Sequence, residues 1–291
     1  MTFEVPDMRT LSQLLEISPG KLFHLASRVD HYYRNTSIPK PDGTLRKLRV
    51  PMGDLKAIQQ KIKEVILDRV PVPAWVHGGV RRRSPKSNAA VHVGRPLVYT
   101  IDIKSFFPSV TPLQVRAVFQ QLGFGEQPSN MLARLTTSKY ELPQGTHTST
   151  ALANLVLLHA DWRIANVGKE HGFELTRFVD DVSASGSLRL YKFRNLIDRI
   201  IESEGFSIKS EKRFTMPSGT RQVVTKLAVN EKVNLTRENR QKIRREVLTE
   251  LYARKGDLTL SALGRLGWLT FINPDAGAKL SAHAVAGAGR R

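Results

Sequence analysis

A chain of 291 residues with 41% hydrophobic content is long enough for one large domain or two to three small lobes, which excludes a disordered polypeptide. Its 45 Lys and Arg against 26 Asp and Glu leave a net charge of +19, so a polyanion is the expected partner, nucleic acid before an acidic membrane. Cysteine is absent, which excludes disulfides, thiolate zinc sites and a cysteine nucleophile; any metal must be held by oxygen or imidazole, and that favours magnesium.

In chain order, the opening "MTFEVPDMRT" carries acids where a signal peptide would carry a basic and then an apolar segment. No apolar run reaches the ~18 residues of a membrane span, so no membrane association and a cytoplasmic location are expected. Residues 10 to 35 read as helix in two pieces, the second with Ser18 as N-cap and Pro19 at its first position. "IPKPDGTLRKLRVP" has the form of a hairpin turning at Asp42 and Gly43, with basic arms. "GDLKAIQQKIKEVILDRV" places Leu55, Ile58, Ile62, Val65 and Ile66 on one helical face, and residues 71 to 97 read as an irregular basic loop.

"LVYTIDIKSFF", bracketed by Pro96 and Pro108 and apolar on both faces, reads as a central strand. Helices are predicted near 112 to 122 and 128 to 137, then one long helix with Leu152, Leu155, Val156 and His159 on its inner side. "YKFRNLIDRIIESEG" predicts a further helix closed by Gly205, with short strands in "FSIKSEKRFTM" and "RQVVTKLAVN". From Leu235 the chain is mostly helical, with Ile243, Val247 and Leu251 as an apolar stripe and Arg240, Lys242, Arg244 and Arg245 elsewhere on the helix. "AGAKLSAHAVAGAGRR" reads as a frayed end.

Chemistry concentrates in "TRFVDDVSASG", where Asp180 and Asp181 are predicted to form the two-residue turn of a hairpin. Two adjacent charges between apolar flanks repel unless a cation offsets them. A third carboxylate, Asp102, stands in the apolar strand, where an unpaired charge costs several kcal/mol of desolvation. A strand Asp followed by a helix and an Asp-Asp hairpin is the donor set that a two-magnesium phosphoryl-transfer site requires, with Asp102 and Asp180 bridging and Asp181 as outer ligand or support.

Seven blocks, "IPKPDGTLRKLRVP", "VHGGVRRRSPKSNAAVHVG", "YTIDIKSFFPSV", "LPQGTHTSTALANLVL", "TRFVDDVSASG", "IKSEKRFTM" and "RQVVTKLAVNEK", stand in the order found in bacterial retron reverse transcriptases and their defence-associated relatives, which this chain resembles from about residue 10 to about 275. The resemblance implies an α+β right-hand polymerase fold. Residues 1–97 would form fingers with N-terminal helices, 98–230 a palm with inserted fingers helices at about 112–140, and 231–291 a helical thumb with a mobile tail. It implies Asp102, Asp180 and Asp181 as catalytic aspartates holding two Mg2+ ions, with Ile103 lending a backbone carbonyl. Lys40 and Arg46 would lie at the nucleotide triphosphate, Phe107 as a steric gate against a ribose 2′-hydroxyl, Gln144 at the nucleotide sugar, and Lys212 near the departing pyrophosphate.

The implied activity is RNA-directed DNA synthesis on a structured noncoding RNA template and primer. Deoxynucleoside triphosphates would be its substrates, an RNA–DNA hybrid its product, and an effector protein encoded nearby a partner in antiphage defence. The chain departs from the retron pattern at Phe178-Val179 for Tyr-Ala, at Thr150 for Pro and at Lys226 for Gly, which leaves the polymerase chemistry standing and bears on which relatives it groups with. A group II intron-like reverse transcriptase and a catalytically silent RNA-binding protein of the same fold are the alternatives. His77, His92 and His147 lack metal-ligand spacing and are expected in loops or at RNA.

Overall fold

The computed structural model describes residues 2–39, 43–253 and 258–288. Helix α1 (Met8–Leu15) starts on Asp7, whose carboxylate accepts from the Thr10 amide at 2.9 Å, and α2 (Pro19–Ser27) starts on Ser18 as predicted. The helical reading then stops early, because Tyr33 begins a strand. Its hydroxyl is held by the Gln59 carboxamide at 2.7 Å, which anchors the extended chain to the helix beneath. Strands β1 (Tyr33–Pro39) and β2 (Leu45–Pro51) form a two-stranded antiparallel hairpin longer than the block that suggested it. Lys40 and Asp42 lie outside the described residues.

Helix α3 (Gly53–Val65) buries Leu55, Ile58 and Ile62, as its spacing predicts. The segment expected to be irregular contains α4 (Pro85–Ala90), started by a reciprocal Ser84–Ser87 capping box with Pro85 at the first helical position. Strand β3 (Leu97–Asp102) is central, but it ends at Asp102 rather than running through Phe107: Ser105 adopts φ +47° and α5 (Phe106–Ser109) follows. Helices α6 (Pro112–Gln121) and α7 (Glu126–Thr136) match their predicted positions. The single long helix is in fact two, α8 (Ser149–Val156) and α9 (Leu158–His171), joined at Leu157. The break re-aims the following turn, so Leu152 and Leu155 are buried while His159 faces outward beside Glu204.

Strands β4 (Phe173–Phe178) and β5 (Asp181–Gly186), helix α10 (Arg194–Ser203) and strand β6 (Phe214–Pro217) complete an antiparallel sheet of order β4-β5-β3-β6. Gly205, at φ +87°, follows α10 as predicted. Of the strand expected in "FSIKSEKRFTM", only Ile208 bridges to Ile103 before a 3-10 turn at Ser210–Lys212 and then β6. Strands β7 (Val223–Val224), β8 (Leu227–Ala228) and β9 (Asn234–Leu235) form a small sheet, followed by α11 (Arg237–Ala253), α12 (Leu260–Ile272) and α13 (Pro274–Ala288). Helix α11 buries Ile243, Val247 and Leu251, as predicted. As far as Ala288 the segment read as a frayed end is helical and belongs to α13; residues 289–291 lie outside the described residues. The Asn273 carboxamide accepts from the Ala276 amide at its start, alanine favours helix, and Leu280 is buried.

Two apolar clusters result. The larger joins the four-stranded sheet to α1–α3 and α6–α10; the smaller joins β7–β9 to α11–α13 and reaches back to Ala89 and Val98. No helix among the described residues is long and apolar enough to cross a membrane.

Candidate active site

The β4–β5 register pairs Phe178 with Asp181, so the two-residue turn is Val179–Asp180 and not Asp180–Asp181 as the sequence suggested. A one-residue slip would turn Val182 and Ala184 away from the core in which both are buried, and burial therefore selects the observed register. The consequence is Val179 at φ +61°, a conformation disfavoured for a β-branched residue, while Asp181 begins a strand directly opposite Asp102. All three carboxylates thus lie at one end of the sheet. The Ile103 amide donates to the Asp180 carbonyl at 3.0 Å and ties the turn to the end of β3.

The cluster is electrostatically unbalanced. Burial, reinforced by Asp180 and Asp102, pushes the Asp181 carboxyl up to about 7, and burial together with Asp102 raises Asp180 as well. Relief comes from one side only. Lys212 Nζ donates to Asp102 Oδ2 at 2.7 Å, and Lys209 Nζ donates to Asp102 Oδ1. The hydrogen bond to Asp102 raises the Lys212 ammonium. Lys209 was not singled out from the sequence, although the spacing Lys209–Lys212 was a usable signal: residues i and i+3 eclipse across a 3-10 turn, so both ammonium groups reach one carboxylate.

Asp180 and Asp181 open onto a cleft of about 500 Å3 that Arg46, Phe107, Gln144 and Lys226 also line. Phe107 is half-buried, packed on the core with one side to the cleft. Gln144 is placed by its backbone, whose carbonyl accepts from the Arg49 amide at 2.8 Å, and Gly145 at φ +101° lets that turn approach β2 closely. Arg49 itself is engaged with Glu141 at 3.0 Å. Thr225 and Lys226 form the β7–β8 turn, both at positive φ (46° and 65°), so the lysine that departs from the retron pattern stands where glycine is less strained. Ile103 is buried beside the carboxylates, and Lys40 is outside the described residues.

Beneath the turn lies a group that the sequence reading missed. Arg177, fully buried, donates to both Asp161 oxygens (2.9 and 2.7 Å), to the Asn154 side chain (2.9 Å) and backbone (3.0 Å), and to the Val179 carbonyl (3.0 Å). Burial pushes the Asp161 carboxyl upward, and the guanidinium opposes that shift. The available signals were an arginine in the apolar run "ELTRFV" and an aspartate four residues after Leu157 on a buried helix face. His77 and His92 lie in loops, as expected, but both are buried and bonded within the fold. His92 bonds Ser185 and Thr176 at 2.7 Å each, burial lowering it to about 3, and His77 bonds Ser87 at 2.9 Å, burial lowering it to about 4.

An antiparallel sheet presenting three carboxylates at one end, under a hairpin on one side and a helical lobe on the other, is the palm of a right-hand nucleic-acid polymerase. Residues 38–233 match the family model described as "Reverse transcriptase (RNA-dependent DNA polymerase)". The chain is 33% identical to the retron Mx65 reverse transcriptase of Myxococcus xanthus, over 96% of this chain and 72% of that protein. It is 31% identical to the retron Ec86 reverse transcriptase of Escherichia coli, over 91% of this chain and 83% of that one. It therefore belongs to the reverse transcriptase family, and its activity is that of an RNA-directed DNA polymerase. A telomerase from Candida albicans, solved with a TWJ fragment of telomeric RNA, shares the fold: TM-score 0.52 at 11% identity, covering 96% of this chain and 61% of that one.

Proposed function

We propose that this reverse transcriptase adds deoxynucleotides at the carboxylate end of the sheet, with a structured noncoding RNA as template. The observation that carries the site is the register pairing of Asp102 with Asp181 beside the Asp180 turn, on a cleft shared with Phe107 and Gln144. Among the described residues no three acidic or imidazole groups form a preformed metal-ligand set. The donor chemistry nevertheless fits magnesium: hard oxygens, mutual repulsion that raises Asp180 and Asp181, and an Asp102 that already attracts two ammonium groups. When bound, two such ions would lower the pKa of an attacking 3′-hydroxyl and stabilise the leaving pyrophosphate.

In this reading Asp102, Asp180, Asp181 and the Ile103 carbonyl would hold the ions. Lys212 supplies positive charge, and a proton, at the departing pyrophosphate. Arg46 and Lys40 of the basic hairpin neutralise the triphosphate, Gln144 lies against the sugar, and the Phe107 ring excludes a 2′-hydroxyl. The fingers, palm and thumb take residues 1–97, 98–230 and 231–291. The smaller apolar cluster, which reaches from α11–α13 back to Val224, supports a thumb seated firmly on the palm.

A dedicated RNA, an RNA–DNA hybrid product, an effector protein encoded nearby and a place in cytoplasmic antiphage defence follow the retron relatives. Lys226 on the catalytic cleft and the exposed Arg244 and Arg245 on α11 support contact with nucleic acid beyond the reacting atoms. Purification of wild-type and Asp181→Asn protein from native cells, followed by sequencing of the bound nucleic acid, tests this. One dominant RNA in both samples, joined by complementary DNA in the wild type alone, is expected. A random mixture of cellular RNAs in both would remove the dedicated template.

A further inference from the structure

We propose that Arg177 is a positioning residue for nucleotide addition: anchored on Asp161 and Asn154, it grips the Val179 carbonyl and so holds the left-handed turn that presents Asp180 and Asp181. The inference rests on the reading of those two aspartates as catalytic.

Three observations converge on the turn. The first is the disfavoured backbone itself, because Val179 at φ +61° persists only if its surroundings over-determine it. The second is the guanidinium. Its Nη1 reaches Val179 O at 3.0 Å and Asn154 Oδ1 at 2.9 Å, while Nε and Nη2 go to Asp161 and the Asn154 carbonyl, so the plane of the fork is set from below and one arm is aimed at the turn. A lysine, a point charge on a flexible stem, could not satisfy the same set. The third lies at the Val179 amide rather than its carbonyl. Asn154 Nδ2 donates to the Gly78 carbonyl at 2.8 Å, and a Cβ on Gly78 would run into the Val179 amide nitrogen. One asparagine therefore fixes both the arginine and the glycine between which Val179 is clamped.

A fully buried ion pair is a poor source of stability, since an apolar pair of similar volume commonly serves the fold as well. What an apolar pair cannot do is hydrogen-bond the Val179 carbonyl. The polar arrangement is thus better explained by the geometry it imposes on the carboxylates than by the stability it adds.

The test is the double variant Arg177→Met/Asp161→Leu, which removes both charges together and keeps the site filled. Steady-state nucleotide addition on a primer–template gives kcat and KM, and Mn2+ binding is measured by electron paramagnetic resonance without nucleotide. We expect a folded protein with nucleotide KM within about threefold of wild type, kcat lower by about 10- to 100-fold and Mn2+ affinity weakened by about tenfold. Wild-type kcat and Mn2+ affinity in the folded double variant overturn the proposal. Should that variant fail to fold, Asn154→Ala, which frees the fork but leaves the ion pair, carries the same expectation for kcat and Mn2+ binding at about three- to tenfold, and wild-type values there overturn it equally. Asp180→Asn separates the two failures: if it retains addition, the catalytic reading falls and the inference with it; if it is inactive while the folded double variant behaves as wild type, the positioning role alone falls.

Discussion

The buried Asp161 and the cluster of buried Asp102 with half-buried Asp180 and Asp181 lie at the same hairpin and are treated in opposite ways. Asp161 is bonded by two Arg177 donors, Nε and Nη2, and the remaining N–H groups of the guanidinium are also satisfied, so that site is closed. Burial and the neighbouring carboxylates raise Asp180 and Asp181, and Lys209 and Lys212, both bonded to Asp102, offset that only in part, leaving the cleft side open. The contrast separates two uses of buried charge: a fully bonded pair fixes geometry, and an unbalanced cluster keeps capacity for an external cation.

Neutralising one member of each group gives the largest expected effect. Asp180→Asn removes a repelling charge, so the metal-free protein should melt at the same temperature or higher, while primer extension falls by about 10^3-fold or more. Asp161→Asn leaves Arg177 buried and uncompensated, and should cost about 3–5 kcal/mol in denaturant unfolding. If the Asp180 variant lost stability and kept extension, the distinction would collapse. Phe107 stands at the edge of the open group, with one face on the core. Phe107→Ala should raise ribonucleotide over deoxyribonucleotide incorporation by about tenfold in single-nucleotide extension, and an unchanged ratio in folded protein would reduce the ring to packing.

The smallest effect is in pH. Asp181 stands at about 7 in the fold, above the ordinary carboxyl value, so the folded protein holds that proton more tightly than the unfolded chain. Its contribution is therefore complete near pH 4 and is lost as the pH rises through 7. In chelator, the melting temperature should fall by roughly 5 °C across that window relative to Asp181→Asn, and added magnesium should restore it at pH 8. A flat difference between the two proteins would mean that Asp181 is not strained by its neighbours.

How much of this was readable varies with the range of the forces involved. Ser18, the α3 face and the α11 stripe were legible because caps and helical periodicity are local. The register of the Asp-Asp hairpin was not, since Val179 favours a strand locally and is placed at φ +61° by the burial of Val182 and Ala184. The break at Leu157 was hidden because apolar spacing continues across it, and α13 was missed because an alanine-rich segment resembles a loose end until Leu280 finds a core. Arg177 was passed over as one basic residue among 45 in a basic chain.

By itself the sequence determined the charge that calls for nucleic acid, the strand carrying Asp102, the adjacent pair Asp180 and Asp181, and the seven ordered blocks of a reverse transcriptase, because these depend on residue identity and short spacing. Only the tertiary structure decided which two residues turn the hairpin, which lysines meet Asp102, and that an arginine, an aspartate and an asparagine from separate elements meet under Val179. Those outcomes come from burial and hydrogen-bond closure between distant segments: a buried charge must find its partner wherever the fold has placed one.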